Sequence, residues 1–508
     1  VSRWRQFTRG VASSWLATFF TVVYSLLSVP VALRFLSVDE FGLLMLLLQV
    51  GTYFNLVDLG MTAATARILI DHKDRPKEAG YGSFILAGAA VCLLQAVVIL
   101  LGGWLTAPAV IRAFSIAPEH AEVAVFLLRW LAVTFAIGSV LRIFSSVLYA
   151  NRRIDLVVLL MSLVPLLGLA LMWFILSSGG GLAGLAWAFV LPSLAAGTGA
   201  AIAVFALGLM PTRSGWRRPT WAQFREMFLL GKDMFLITVG NQVLEASQLM
   251  IVTRTMGLGA AATWSVSTKL FTLVYQLVTK VEGTAIVFFS EMMVRGETSR
   301  LALRFRHVYQ LTAGLSVTAL ALVTAINQPF VTVWAKADLA WSPLLGLLLA
   351  VVVYLNCVTK CQVDLIMHSK DIRSLRYVYL FESVGFVGLA MCASAHIGFA
   401  GVLLSAILCA ILFRGLYTVR RIAAYFHIPA TTVCWGWLRR SLLASALLLP
   451  FVVTAPHVAT ITPQPLMQLV VSLLWAGGPA LLALGTMALP RDVKAEVLGK
   501  LLAHFRTT

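Results

Sequence analysis

Residues 241–280, NQVLEASQLMIVTRTMGLGAAATWSVSTKLFTLVYQLVTK, hold two apolar helical runs separated by the short turn TMGLG. A hydrocarbon core about 30 Å thick takes ~20 residues of helix at ~1.5 Å each, so the two runs read as halves of a membrane hairpin. Inside them stand Glu245, Lys269 and Lys280, with Asn241, Gln242, Gln248 and Gln276 between. Counted from Leu258, Glu245 and Lys269 both fall ~16–20 Å below the turn, level with each other near mid-membrane. A charge at that depth costs ~2.5–3.5 kcal/mol on insertion scales. Such groups are expected to face water or a partner.

The rest of the chain repeats the pattern. Of its 508 residues, 60% are hydrophobic and 12% charged, which excludes an ordinary soluble domain. The short alternating strands of a membrane barrel do not appear. Fourteen candidate spans run roughly over 11–36, 41–66, 83–106, 121–148, 156–177, 182–208, 233–256, 260–288, 308–334, 342–367, 376–396, 399–419, 441–458 and 466–489. A merged or missed pair would leave twelve. The reading is an all-α polytopic membrane protein: two pseudo-repeated six-helix bundles at 1–208 and 233–425, joined by a cytoplasmic linker at 209–232. A pair of helices follows within 426–490, then a cytoplasmic tail at 491–508 (RDVKAEVLGKLLAHFRTT), either a surface amphipathic helix or a solvated basic tail.

Charge gives an independent check. With both termini in the cytoplasm, the inside segments hold the clusters Arg3, Arg5 and Arg9; Arg67, Lys73, Arg75 and Lys77; and Arg152 with Arg153. The later ones are Arg213, Arg217 and Arg218; Arg300, Arg304 and Arg306; Lys370 and Arg373; and Arg420 with Arg421. The outside segments hold only Arg34, Arg112, Arg254 and Lys336. Cytoplasmic loops are the basic ones in membrane proteins. The formal net charge of +18 therefore reflects topology and anionic lipid at the inner face, and nucleic acid is not an expected partner. The first apolar run far exceeds a signal-peptide core, and no small-residue cleavage site follows, so it is expected to be the first span. The six cysteines form no CxxC pair and the eight histidines no HExxH, so neither a metal nor another cofactor is expected.

The chain resembles itself. A shift of 220 lays PVALRFLSVDEFG (30–42) over MIVTRTMGLGAAA (250–262), and a shift of 218 lays LYANRRID (148–155) over IMHSKDIR (366–373). Two matches at nearly one offset suggest a parallel duplication of spans 1–6 and 7–12, and repeats of this kind place the substrate site at their interface. Helical spacing puts Ser265, Lys269, Thr272, Gln276 and Lys280 close to one stripe of span 8. Span 7 presents Asn241, Glu245 and Gln248, span 1 Ser14, Thr18, Thr21, Ser25 and Ser28, and span 2 Asn55, Asp58, Thr62 and Thr65. At the 220 shift Thr21 falls on Asn241, Ser25 on Glu245 and Gln49 on Lys269.

Plainer explanations stand beside these. The span 1 stripe equally fits helix packing, and a purely structural ion pair is the plainer, less favoured account of Glu245 with Lys269. Lys280, Lys360 and Arg142 lie near cytoplasmic ends, where snorkelling to headgroups is the favoured account. Lys360 and Asp364, spaced i and i+4, are placed to pair. Asp58 is placed to cap or to meet Arg67, and Arg129 and Arg414 stay open.

The stretch SVPVALRFLSVDEFGLLMLLLQVGTYFNLVDLGMTAATARIL (28–69) resembles Wzx-type polysaccharide repeat-unit flippases of the multidrug/oligosaccharidyl-lipid/polysaccharide exporter superfamily. The features are a proline late in span 1, the L-x-x-x-EFG turn, and a polar DLG end to span 2 followed by an arginine. The resemblance implies two bundles around a central cavity lined by spans 1, 2, 7 and 8. It also implies movement of undecaprenyl-diphosphate-linked oligosaccharide (an O-antigen or exopolysaccharide repeat unit) from the inner to the outer leaflet of the bacterial inner membrane, coupled to an ion gradient. On that reading the cavity cations meet the diphosphate: Lys269 first, then Lys280, Arg34 and Arg254, with Asn241 and Gln276 beside them. Glu245, Asp58, Lys360 and Asp364 are candidates for ion coupling or charge pairing. Expected partners are the lipid-linked oligosaccharide and membrane lipids, with a polysaccharide polymerase and a chain-length regulator. The protein is expected to be a transporter, not an enzyme. Rivals are a lipid II flippase, against which the absence of an arginine-rich first span counts, and a multidrug exporter, which would favour acidic cavity groups. A membrane glycan polymerase or ligase would need a large outer loop, and the outer turns are short.

Overall fold

The computed structural model describes residues 3–72, 81–211, 215–335, 339, 341–369 and 373–488. The basic groups Lys73, Arg75, Lys77, Arg213, Lys336 and Lys370, and the tail at 491–508, lie outside the described residues. The chain is an all-α polytopic membrane protein, with no strand among the described residues. In chain order the helices are α1 (Arg3–Phe35), α2 (Val38–Gly51), α3 (Met61–His72), α4 (Tyr81–Ala113), α5 (Pro118–Ala150), α6 (Ile154–Ser177), α7 (Gly181–Ala206) and α8 (Trp221–Met256). They continue with α9 (Leu258–Ser267), α10 (Lys269–Val294), α11 (Thr298–Ala335), α12 (Pro343–His368), α13 (Arg373–Cys409), α14 (Leu416–Phe426), α15 (Arg439–Ala459) and α16 (Pro465–Ala483).

Length and hydropathy alone mark 12 spans among the described residues. Two local features bring the number to the expected fourteen. One marked stretch, Ser374–Phe426, is 53 residues long, ~80 Å if it were one straight helix. It turns back at Ile397 and Gly398, where φ is −125° and 59°, so it makes two crossings. The other is α10, whose 26 residues are long enough to cross and carry Lys269, Lys280, Glu282 and Glu291.

The molecule forms two compact units, Val1–Ala262 and Thr263–Thr508. In the first, α4, α5 and α7 pack side by side, α6 lies on α7 and α1 on α6, while α3 sits against α4, α5 and α8. In the second, α11 is central, with α10, α12, α15 and α16 against it and α13 and α14 against α12. Close approach comes from small residues. A Cβ on Gly103 of α4 would stand 2.3 Å from the Ala132 Cβ of α5. Between membrane helices, such small residues let backbones draw together where hydrophobic transfer offers no drive.

The EFG motif is a piece of helix-start engineering. Ser37 caps α2, accepting from the Glu40 amide at 3.2 Å, while the Glu40 carboxylate accepts from the Ser37 amide at 2.8 Å. This reciprocal capping box satisfies two donors that the first turn leaves open. Leu36 and Phe41, both buried, occupy the two positions of a hydrophobic staple around it. Gly42 follows because no side chain fits: a Cβ there would lie 2.1 Å from the Leu258 carbonyl oxygen.

The DLG motif breaks span 2. After α2 the chain tightens into a 3-10 stretch, Thr52–Asp58, then passes through Leu59 (φ 51°) and Gly60 (φ 73°) before α3 resumes. Non-helical backbone at membrane depth survives only where protein or a wet cavity satisfies it. Here Gln95 of α4 donates to the Asp58 carbonyl at 3.1 Å. Span 8 lapses for one residue at Thr268, whose backbone stays helical at φ −84° and ψ −6°. There Asn327 of α11 donates to the Ser267 carbonyl at 3.1 Å.

Candidate functional site

Lys269 opens α10, half-buried, and makes no hydrogen bond or ion pair among the described residues. Its helix is two-faced. Phe271, Leu273, Val274 and Val278 are buried. Thr272 and Gln276 are exposed, and Lys280 is half-buried with no side-chain partner among the described residues. The stripe drawn from helical periodicity therefore exists as an unpacked polar face carrying two uncommitted ammonium groups. Lipid cannot solvate such groups cheaply.

The first unit contributes a second polar surface along α8. Asn241 donates to the exposed Glu245 carboxylate at 3.0 Å. Their neighbours turn inward to hold the broken span: Gln242 donates to the Thr52 hydroxyl at 2.6 Å, and Ser247 lies 3.4 Å from the Tyr53 hydroxyl. One face of α8 is thus structural and the other is available. Glu245 and Lys269 belong to different units, so their pairing remains a proposal. Arg34 is exposed in the last turn of α1, 5.6 Å from the Phe35 ring. Arg254 ends α8 and donates to Ser115 at 3.1 Å.

Asp58 meets Arg142, not Arg67. The guanidinium of Arg142 on α5 lies 3.0 Å from the Asp58 carboxylate and 3.3 Å from the Thr62 hydroxyl, and Thr62 itself bonds Asp58. Gln95 and Ser139 complete the cluster, the serine donating to the Gln95 amide oxygen at 3.2 Å. The snorkelling expected of Arg142 is corrected, because a carboxylate within reach offers more than a distant headgroup. Lys360 and Asp364 do pair along α12, as their spacing required.

Three charged groups escaped notice or were left open in the sequence. Arg414 is buried on Glu382 at 3.3 Å, bonds the Asn356 amide oxygen at 2.6 Å, and sits 5.8 Å from the Tyr379 ring. Glu282 is 3% exposed, and neither carboxyl oxygen makes a hydrogen bond. Nothing in helical spacing marks it: it lies two residues past Lys280, off the polar stripe and among α10's buried positions. Its isolation from other sequence polar groups was the available signal.

The long series of crossings, the break at Leu59 and Gly60 and the polar face of α10 define a multi-pass helical membrane protein. A family model described as polysaccharide biosynthesis protein matches residues 7–293, over half of the chain, and the chain belongs to that family. The matched region runs from α1 to within one residue of the end of α10, so it includes all four helices whose polar stripes stand out in the sequence. The resemblance to polysaccharide flippases is borne out at that level. Among solved structures the chain is similar to the lipid II flippase MurJ in an inward closed conformation, with TM-score 0.71 and 12% identity, over 93% of this chain and 97% of that one. It is also similar to an inward-facing multidrug resistance MATE family transporter of the MOP superfamily, with TM-score 0.69 and 14% identity, over 80% and 95% of the two chains. A third is a MOP superfamily transporter from Pyrococcus furiosus, with TM-score 0.60 and 14% identity, over 83% and 96%. At these identities the likeness is one of fold. No curated protein sequence matches the chain.

Proposed function

We propose that this protein is a flippase that carries undecaprenyl-diphosphate-linked oligosaccharide repeat units from the inner to the outer leaflet of the bacterial inner membrane. Family membership sets the pathway as polysaccharide biosynthesis. The observation that carries the rest is the open face of α10, where Lys269 and Lys280 flank Thr272 and Gln276 without an ion partner among the described residues. A diphosphate is the part of such a substrate least able to enter a bilayer. Two ammonium groups in a partly dehydrated space attract it more strongly than they would in bulk water. Hydroxyl and amide groups on α1, α2 and α8 wet the path of the sugars, and the polyprenyl tail stays in lipid. No covalent bond is made or broken.

In this reading the six-helix halves at 1–208 and 233–425 rock about the site, the linker at 209–232 lies in the cytoplasm with both termini, and 426–490 adds the last two crossings. Glu245 occupies Lys269 when the cavity is empty and yields it to substrate. Arg34 and Arg254, near the ends of their helices, receive the diphosphate at the outer side. A polymerase and a chain-length regulator take the delivered unit onward.

The test is reconstitution in vesicles with a lipid-diphosphate-linked oligosaccharide, scored by exposure of the sugar to an external enzyme. Lys269→Ala is expected to lower the initial rate at least about tenfold, the equivalent of ~1.4 kcal/mol of lost interaction. Lys269→Arg should restore most of it. Unchanged rates in both Lys269→Ala and Glu245→Ala would remove the proposed site, and faster movement of lipid II than of the oligosaccharide would reassign the substrate.

A further inference from the structure

The ends of α4 and α5 that meet across residues 114–117 leave a groove between the two helices. On α4, Trp104, Pro108 and Arg112 follow one another at four-residue steps, and on α5 so do Glu122 and Phe126, with Arg129 one helical turn further on. Each set therefore runs down one face of its helix. The space between them is about 720 Å³, within the range of small-molecule sites. Its lip is apolar and open, Trp104 being 50% and Phe126 42% exposed. Behind the lip the wall is built of rings: that of Trp130 lies 6.0 Å from Phe126 and 5.2 Å from Trp187 on α7.

Arg129 is the member that demands an explanation. Its Nε is buried without a hydrogen-bond partner, no ion pair reaches it among the described residues, and its guanidinium carbon lies 5.0 Å from the centre of the Trp104 ring. An aromatic face attracts a cation but leaves the in-plane N–H donors of a guanidinium unmet. With 33 residues α5 is ~50 Å long, about 20 Å more than the apolar core. Centred in the bilayer, it puts the Arg129 Cα ~6 Å inside the hydrocarbon boundary, and the side chain leans toward the helix N-terminus, back to the level of lipid phosphates. Snorkelling alone would carry the guanidinium to open headgroups or water, where every N–H is met. This one is held under an indole inside a groove. Arg112 stands nearer the mouth, its Nε donating to the Pro108 carbonyl at 3.2 Å. Glu122 is exposed there, with no hydrogen bond or ion pair among the described residues.

We propose that this groove is a binding site for one phospholipid, and that it selects a headgroup carrying a primary amine beside its phosphodiester. The inference goes beyond the transport reading and borrows from it only the orientation, which makes the leaflet the outer one. The phosphate accepts from Arg129 and Arg112, since planar guanidinium groups suit phosphate oxygens. The amine, as an ammonium, meets the Glu122 carboxylate. Each charge of a zwitterionic headgroup thus faces its opposite, whereas a glycerol headgroup leaves Glu122 unanswered. The acyl chains lie along the exposed rings of Trp104 and Phe126. Inorganic phosphate would meet the arginines and leave that apolar lip uncovered, so a lipid fits better. A seated lipid ties the end of α4 to the start of α5.

Native mass spectrometry of the full chain tests this, with the protein released from micelles holding equal amounts of dioleoyl phosphatidylethanolamine and dioleoyl phosphatidylglycerol. One tightly held lipid is expected, the amine lipid exceeding the glycerol lipid about tenfold, as one charge-assisted contact provides. Arg129→Ala should weaken that binding at least about tenfold. Glu122→Gln should erase the preference while phosphatidylglycerol stays bound. Millimolar inorganic phosphate should not displace the lipid. Displacement by phosphate would reassign the site to a free anion and overturn the lipid. Equal binding of the two lipids to the wild type would overturn the headgroup choice, and undiminished binding in both Arg129→Ala and Arg112→Ala would overturn the groove. The two competitions use the wild type alone, so they decide the matter even where a variant does not fold. None of these readings involves transport, so failure of the flippase reading leaves them standing.

Discussion

In the first unit, Asp58 and Arg142 sit 3.0 Å apart with Thr62, Gln95 and Ser139 around them, so each buried charge has its partner. In the second, Lys360 and Asp364 pair along α12, and Glu282 of α10 is buried with no hydrogen bond at either carboxyl oxygen. One unit thus holds a settled cluster and the other an unsettled one. A cation where a cation is needed makes a fastening. The same difference appears on the helices above: Gln242 and Ser247 of α8 fasten the broken span, whereas Lys269 of α10 has no partner among the described residues.

The sharpest way to break this contrast is Arg142→Ala. It strands Asp58 without its cation and should cost up to about 3 kcal/mol, the range for leaving a partly buried charged group unsatisfied. Lower folded yield and melting temperature would register it, with partial recovery in Asp58→Asn/Arg142→Gln. Lys360→Ala is expected to cost less, since the Lys360 side chain is 38% exposed and its partner lies one turn away on the same helix. A loss as large as that of Arg142→Ala would erase the distinction between the clusters.

Thr62→Glu goes further by giving the first unit a surplus acid. A destabilisation of about 1–3 kcal/mol at neutral pH is expected, from an added acid with no free cation to meet, and relief on acidification. A pH-independent cost would point to simple crowding. The exchange Glu282→Thr should leave stability within ~1 kcal/mol of wild type.

The smallest expected effects concern the turns that start spans 2 and 8. Ser37→Ala removes the capping box from α2 and should cost about 1 kcal/mol. The corresponding residue at the 220 shift is Gly257, held at φ 88°. Gly257→Ala is expected to cost about as much, by strain instead of a lost cap. Thermal melts of both variants in one lipid mixture would show whether the two turns are equally fastened.

Much of this was legible beforehand, and particular residues show why. Length and hydropathy mark 12 spans among the described residues, and α10 was found despite its charges because periodicity separates its apolar face from Lys269, Gln276 and Lys280. Lys360 and Asp364 were paired correctly because i and i+4 on one helix are neighbours whatever surrounds them. Asp58 was expected to cap or to meet Arg67; its carboxylate accepts from the Thr62 amide at 3.4 Å, as a cap does, while its ion partner is Arg142, 84 positions away. Glu282 carried no pattern at all, since its environment is made by α11 and α12.

Local rules, which act within a helical turn or across one span's length, already dictated the membrane setting, the crossings, the polar stripe and the capping box built on Ser37 and Glu40. Which charge answers which was decided only when distant helices packed, because partners such as Asp58 with Arg142 and Glu382 with Arg414 are brought within about 3 Å by tertiary contacts that no helical period encodes. Burial then set the consequence, sealing a sequence-silent glutamate, Glu282, away with neither carboxyl oxygen hydrogen-bonded.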